Sequence, residues 1–145
     1  MSSTFLKGFL LLVLWFSINS PVAGQDFDGD NITGTWLTAD KTGEINIFRK
    51  GNHYFGKIVA GTSDQKTDVH NPDKRRRNDP LFGMLILKDL EFDGAEVWEG
   101  GSVYDPKNGK RYSCSIKMVS RDTLKITGYI GFSWIGRSEQ WTRIR

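Results

Sequence analysis

The chain reads RYSCSIKMVSRDTLKITGYI from residue 111 to residue 130, and this stretch decides the fold class. Its first half alternates polar side chains with apolar ones, at Tyr112, Cys114, Ile116 and Met118. Residues 120–122 then supply a tight turn, and the alternation resumes with apolar Leu124 and Ile126. A period of two with one apolar face is typical of a β-strand that covers a core. The stretch therefore predicts an antiparallel hairpin with one buried face.

Short β-favouring runs of the same kind fill the rest of the chain after residue 30, and none of that region has a sustained helical period. Turn-forming residues separate the runs, among them Gly51-Asn52 and the segment 105–109, which contains both Pro and Asn-Gly. We predict eight strands: Gly34–Ala39, Glu44–Arg49, Tyr54–Ala60, Met84–Leu90, Glu96–Tyr104, Arg111–Val119, Thr123–Ile130 and Arg137–Ile144.

Eight hairpin-linked strands would leave two exposed edges in an open sheet, and closure into a barrel removes them. The sequence therefore predicts an all-β protein with a single antiparallel up-and-down β-barrel of about eight strands. A flattened sandwich is the alternative. An eight-stranded barrel is wide enough either to be filled by its own side chains or to hold one small ligand.

The first 24 residues have the pattern of a cleavable signal peptide. Lys7 precedes an apolar run over residues 8–16, and small residues with one proline follow at 20–24. The apolar run is shorter than the roughly 20 residues that span a bilayer. We expect cleavage after Gly24 and a secreted or periplasmic protein that is not an integral membrane protein. Residues 25–145 then form the single barrel domain.

Composition and single residues argue against several functional classes. A formal net charge of +3 on 145 residues does not favour nucleic-acid binding. His53 and His70 lie in no nucleophile motif, so we predict no catalytic residue and no enzyme. Two histidines and one cysteine do not make a zinc site, so we predict no metal and no cofactor. Cys114 falls on the apolar face of its strand, which indicates a buried thiol.

The segment from residue 61 to residue 83 has no strand pattern and is much longer than the other connections. Loops of this length are usually functional or disordered. It contains the basic run 74–77 between Asp73 and Asp79. The side chains of Arg75, Arg76 and Arg77 are candidates for contact with an anion or a partner.

Two sets of motifs carry a resemblance to known families. Gly34-Thr35-Trp36 at the start of the first strand, with Arg143 near the end of the last, resembles the calycin barrels (lipocalins and fatty-acid-binding proteins). This likeness implies that the indole plugs the closed end of the barrel and that the guanidinium stacks on it.

The second resemblance covers nearly all of residues 33–145. Its motifs are Asn71-Pro72-Asp73, Pro80-Leu81-Phe82-Gly83, the block from Trp98 to Tyr112, Leu124 with Gly128-Tyr129, and Gly136-Arg137 with Trp141. They are similar to a bacterial secreted family catalogued as domain of unknown function 2147. Membership implies a signal peptide, a calycin-like barrel and no assigned activity.

The last strand bears on the function, because neither of its faces is cleanly apolar. Whichever face turns inward places polar groups inside the barrel, and buried polar groups need hydrogen-bond partners, which a ligand can supply. We predict a non-enzymatic binder of a small, partly apolar or amphipathic molecule, with the loop 61–83 as a gate. The predicted pocket consists of Trp36, Tyr54, Trp98, Tyr104, Arg137, Trp141 and Arg143. The binder hypothesis requires a cavity of at least a few hundred Å3. The alternative is an envelope interaction module with a filled barrel, which acts through the basic loop.

Overall fold

A computed structural model of the chain describes residues 27–130 and 136–144. They form an eight-stranded antiparallel barrel with strands β1 (Gly34–Leu37), β2 (Gly43–Lys50), β3 (His53–Gly61), β4 (Leu85–Phe92), β5 (Val97–Asp105), β6 (Lys110–Ser120), β7 (Thr123–Tyr129) and β8 (Gly136–Arg143). Short 3₁₀ helices cover Gly29–Ile32 and Lys74–Arg76. The predicted signal peptide of residues 1–24 lies outside the described residues and remains a prediction.

The sheet closes because β1 pairs on both sides. It pairs with β2 along its length, and on its other edge Trp36 lies opposite Arg143 and Leu37 opposite Thr142. Every other strand pairs with its neighbours in chain order, so no open edge remains. The prediction of an up-and-down barrel is confirmed, and the sandwich alternative is excluded.

The strand limits follow the turn residues of the sequence. Each predicted strand overlaps an observed one, and the ends differ by no more than two residues. Gly51 and Gly109 adopt positive φ values of 63° and 71°, which suits the tight turns predicted at both places. A Cβ at Gly109 would also collide with the carbonyl of His70, so this turn packs against the long loop.

The alternation predicted for β6 and β7 is confirmed by burial. Cys114, Ile116 and Met118 are buried, as are Leu124 and Ile126 across the hairpin. Ile116 lies directly opposite Ile126 in the β6–β7 pairing. The inward face of this hairpin therefore forms one wall of the core.

β5 departs from strict alternation at its glycines. The register of β5 against β6 shifts between Trp98 and Gly101, and Gly100 has a φ of 78°. A Cβ at Gly101 would collide with the carbonyl of Lys88 and with Leu90 on β4. The glycines of β5 therefore serve a bulge and a close approach of two strands, and they do not leave space for a cavity.

The two ends of the barrel differ. At one end, called the closed end here, the segments 27–33, 51–52, 93–96 and 121–122 connect or precede the strands. At the opposite end, called the open end, the connections are 38–42, 62–84 and 106–109, together with the connection that follows Tyr129. The largest fully buried side chains include Trp36, Trp98, Leu90, Met118 and Leu124. Trp98, Leu90, Met118 and Leu124 belong to the parts of their strands nearest the closed end, so the packed core lies there.

Candidate functional site

The open end of the barrel contains a cavity of about 990 Å3. Its lining comes from strands all around the barrel, from the connection 38–42, from the loop 61–83 and from the segment 105–108. The volume exceeds the few hundred Å3 that the binder hypothesis requires and lies at the upper end of the range of typical ligand sites.

The inner wall of the cavity is mainly apolar. Its branched aliphatic side chains come from five strands and are Ile45, Ile58, Ile86, Val103 and Ile126. They occupy inward positions next to the packed core, and all but Ile58 and Val103 are buried. A molecule inside the cavity would therefore meet a largely hydrophobic surface.

β8 contributes a compact set of polar groups to the cavity, because Arg137, Glu139 and Trp141 share its inward face. The Trp141 indole Nε1 donates a hydrogen bond of 2.6 Å to Glu139 Oε1. Among the described residues, none forms a hydrogen bond or an ion pair with the Arg137 guanidinium. The face of β8 that the sequence left undecided thus places one fixed carboxylate and one guanidinium beside an apolar wall.

The loop 61–83 forms part of the cavity mouth and is tied to the barrel. Gln65 Nε2 donates to the Pro106 carbonyl at 3.0 Å. The backbone N–H of Gly83 donates to the Ile58 carbonyl at 2.7 Å, and Leu81 N donates to the Lys66 carbonyl at 3.0 Å. These bonds hold both ends of the loop against the open end of the barrel.

A buried carboxylate fixes the middle of the loop. Asp68 is fully buried, and its Oδ1 accepts a 2.7 Å hydrogen bond from the hydroxyl of Tyr104 on β5. Its Oδ2 accepts a second bond, also of 2.7 Å, from Asn71 Nδ2. Burial and the bond to Asp68 raise the pKa of Tyr104 to about 12, so its hydroxyl stays protonated at neutral pH. Because Tyr104 also lines the cavity, this network links the loop to the cavity wall.

Replacing Tyr104 by phenylalanine is expected to loosen this loop. The change leaves the buried Asp68 carboxylate with one donor fewer, which costs about 1–3 kcal/mol. Hydrogen exchange should quicken at loop amides such as Asp68 N and Asn71 N, which are hydrogen-bonded in the native loop. Tyr129→Phe is the matched control, because it removes a hydroxyl bonded to Ser115 on neighbouring strands. Equal loop exchange in both variants would contradict the role given to Tyr104.

The structure separates the seven residues predicted for the pocket into two groups. Tyr104, Arg137 and Trp141 line the cavity. The remaining four belong to the closed end and do not line it: Trp36, Tyr54, Trp98 and Arg143.

The four form a ring of donors around the 3₁₀ helix Gly29–Ile32. Trp98 Nε1 donates to the Gly29 carbonyl at 3.1 Å, and the Tyr54 hydroxyl donates to Asp30 Oδ1 at 2.9 Å. Burial and this bond raise the pKa of Tyr54 to about 12. Their aromatic bodies fill the barrel while their polar ends hold the helix across it, so they close the barrel.

Trp36 and Arg143 complete this closure in the way that the calycin resemblance implies. The Arg143 guanidinium lies 4.2 Å from the centroid of the Trp36 ring and donates to the Thr33 carbonyl at 2.8 Å. Trp36 Nε1 donates to the Ile32 carbonyl at 2.9 Å. The Arg143 side chain is only 22% exposed, and this burial lowers the pKa of its guanidinium.

The three arginines predicted for partner contact lie outside the cavity and are bonded within their own loop. Arg75 pairs with Asp73 at 2.9 Å, and Arg76 pairs with Asp79 at 3.0 Å. Arg77 Nε donates to the Asn71 carbonyl at 2.9 Å. All three side chains are exposed, but their guanidinium groups help to shape the loop.

Two parts of the site were not predicted. The aliphatic wall of the cavity was visible only as alternation, which indicates a face but not whether that face meets the core or an empty space. Asp68 gave no signal, because its partner Tyr104 is 36 residues away in the chain.

Reactive groups are few in the part of the chain that the structure describes. Its His, Cys, Asp and Glu residues form no group of three or more that could hold a metal ion. His53 contacts Glu91 at 2.8 Å on the barrel surface, and His70 is exposed. Burial raises the pKa of the Cys114 thiol to about 12, so it is not a nucleophile at neutral pH.

Of the helices within residues 27–130 and 136–144, none is long and apolar enough to cross a membrane.

The barrel is similar to a solved structure, that of protein HP1028 from the human pathogen Helicobacter pylori, which is described as belonging to the lipocalin family. The two superpose with a TM-score of 0.72 at 24% sequence identity, over 78% of this chain and 82% of that chain. At this identity the likeness shows the fold, and the barrel is lipocalin-like. None of the curated proteins compared with the chain matches it in sequence. A family described as an uncharacterized protein conserved in bacteria (DUF2147) matches residues 34–143, which span all eight strands. The chain therefore belongs to the DUF2147 family, as the motifs of its sequence indicated.

Proposed function

We propose that this protein is a non-enzymatic binding protein that holds one small, partly apolar molecule in the cavity at the open end of its barrel. The observation that carries the proposal is the cavity itself, with a volume of about 990 Å3 and an aliphatic wall. A barrel that needed only to be stable would fill this space, because empty apolar volume destabilises a core. The lipocalin-like fold, shared with a protein described as a lipocalin, supports the same reading.

The polar groups of β8 indicate an amphipathic ligand. Its apolar part would lie against Ile58, Ile86 and Ile126, and its polar part would face Arg137 and Glu139. Trp141 already donates its N–H to Glu139, so the indole offers the ligand mainly a ring face. Arg137 retains its hydrogen-bond donors for an acceptor group on the ligand.

The envelope-module alternative has less support. It expects a barrel filled by its own side chains and an exposed basic run at residues 74–77. The basic run is exposed, but the barrel has a large cavity, and Arg75, Arg76 and Arg77 are bonded inside the loop.

The proposal includes export from the cytoplasm, with removal of residues 1–24. Its basis is the basic, apolar and small-residue order of the N-terminal sequence. A protein recovered from outside the cytoplasm with Gln25 at its N-terminus is the expected result. A recovered mass that includes Met1 would contradict it.

The test of ligand binding is native mass spectrometry of the exported protein, purified from the producing cells without denaturation. We expect a discrete extra mass that disappears after extraction with organic solvent, and this mass identifies the ligand. A second sample is stripped of lipid and incubated with an extract of the same cell envelope, and it should regain the extra mass. A bare protein mass in both samples would overturn the proposal.

A further inference from the structure

The open end of the barrel carries two of the most exposed large hydrophobic side chains of the described residues. Phe82 on the loop 61–83 is 72% exposed, and Ile130 after β7 is 63% exposed. Both line the cavity mouth. Single exposed apolar residues are common on protein surfaces, but two of them beside a cavity indicate an interaction surface for an apolar partner.

The strand order places these two side chains on opposite sides of the mouth. Phe82 lies in the connection between β3 and β4, and Ile130 begins the connection between β7 and β8. In a closed barrel of eight strands, these two connections are half a turn apart. Anything that contacts both residues therefore covers the opening of the cavity.

The two ends of the barrel also differ in charge, and the open end is the more basic of the two. The open-end connections 38–42, 62–84 and 106–109 contain seven basic and five acidic residues. The closed-end segments contain one basic and five acidic residues. The difference at the surface is larger than these counts suggest, since Asp68 at the open end is fully buried.

Several lysines in the open-end connections are also unpaired. Among the described residues, no carboxylate forms an ion pair with Lys41, Lys66 or Lys74. The Lys66 ammonium contacts only the Ser63 carbonyl, and Lys41 and Lys74 are exposed. These charges remain available to an anionic surface.

We propose that the open end docks on the surface of an anionic phospholipid bilayer, with Phe82 and Ile130 inserted at the headgroup boundary and the mouth of the cavity facing the lipid. Exposed apolar side chains and lysines at the same end of a protein have the composition of membrane-surface binding elements. Each lysine near such a surface adds attraction that falls off within a Debye length. A cavity that opens onto the bilayer could exchange an amphipathic molecule with it directly. The docking surface itself does not require the cavity to be occupied.

The test is cosedimentation of the exported protein with vesicles of phosphatidylglycerol mixed with phosphatidylcholine. We expect binding at low ionic strength that weakens with added salt and is largely lost with vesicles of phosphatidylcholine alone. Phe82→Asp should lower the partition coefficient about tenfold, because it removes an inserting ring and adds a repelled charge. The change lies at a side chain that is 72% exposed, and thermal unfolding checks that the fold is kept.

Val119→Asp is the matched control, since Val119 is 50% exposed on β6 near the closed end. It should leave vesicle binding within about twofold of the unsubstituted protein, the range left by one remote surface charge. Equal losses in the two variants, or equal binding to both kinds of vesicle, would overturn the proposal. So would a dimer in solution that Phe82→Asp dissociates without any vesicle binding, because the open end would then meet a second copy of the chain. Ligand loss in mass spectrometry bears on the cavity alone, so the two proposals can fail separately.

Discussion

Replacing Trp36 by alanine is expected to destabilise the protein by about 3–5 kcal/mol, the range for removal of a large aromatic side chain from a core. Trp36 is fully buried, and its ring lies 4.2 Å from the Arg143 guanidinium. The substitution creates a cavity and leaves the Ile32 carbonyl without its indole donor. It also uncovers one side of a partly buried charge, which adds to the cost. The free energy of unfolding in urea measures the effect.

Phe48→Ala supplies the control for this prediction. Phe48 is a half-buried ring that stacks on Phe55, with 5.9 Å between ring centroids. Its removal from the barrel surface should cost clearly less than the loss of Trp36, because only part of its area leaves water. If both variants lost the same stability, the closed end would not be the centre of the packed core. Trp36→Phe should fall between wild type and Trp36→Ala, because it keeps most of the ring but loses the N–H.

The architecture could be predicted from sequence because each strand and each hairpin turn of the barrel has its own short sequence pattern. Alternation marks each strand, and residues such as Gly51 and Gly109 mark the turns where positive φ is needed. These signals depend on neighbours within a few residues. The bulge at Gly100 was missed because its cause, the close approach of β4 to Gly101, comes from another strand.

The residues that line the cavity could be predicted only in part, for a specific reason. Alternation tells which side chains face inward, but it does not tell at which height along the barrel axis they lie. Tyr54 and Trp98 face inward, yet their height puts them beside the 3₁₀ helix at the closed end. Tyr104 and Trp141 face inward as well, and they reach the cavity. Only the register between strands and the position of that helix separate the two groups.

The calycin resemblance contained the missing information for one pair. It implies that the Trp36 indole closes the barrel beneath Arg143, and the structure has this arrangement. The prediction that Trp36 and Arg143 also belong to the pocket conflicts with that implication. No short sequence pattern distinguishes the indole of Trp36 from that of Trp141. The family resemblance therefore predicted the position of Trp36 along the barrel axis better than alternation did.

Filling the cavity is expected to abolish ligand binding without unfolding the protein. Ile58 on β3 and Ile126 on β7 both line the cavity, and their strands lie on opposite sides of the closed barrel. In the double variant Ile58→Trp with Ile126→Trp, two indoles would project into the space from facing walls. A ligand that must displace either ring loses at least about 3 kcal/mol, which corresponds to an affinity at least about 100-fold lower. Native mass spectrometry should therefore show the bare protein mass.

The outward neighbours of these residues provide the matched control. Lys57 and Lys125 adjoin Ile58 and Ile126 on the same strands, and both are exposed. The double variant Lys57→Trp with Lys125→Trp adds the same two indoles to the outside of the barrel, so the extra mass should remain. Overpacking at Ile126 would cost about 1–3 kcal/mol, and urea unfolding shows whether the filled barrel is still folded under the binding conditions. A folded protein that keeps its ligand with both indoles inside would place the binding site elsewhere. Loss of the ligand in the inner variant alone would place it in the cavity, since both variants add two indoles at adjacent positions and carry them on opposite faces of the sheet.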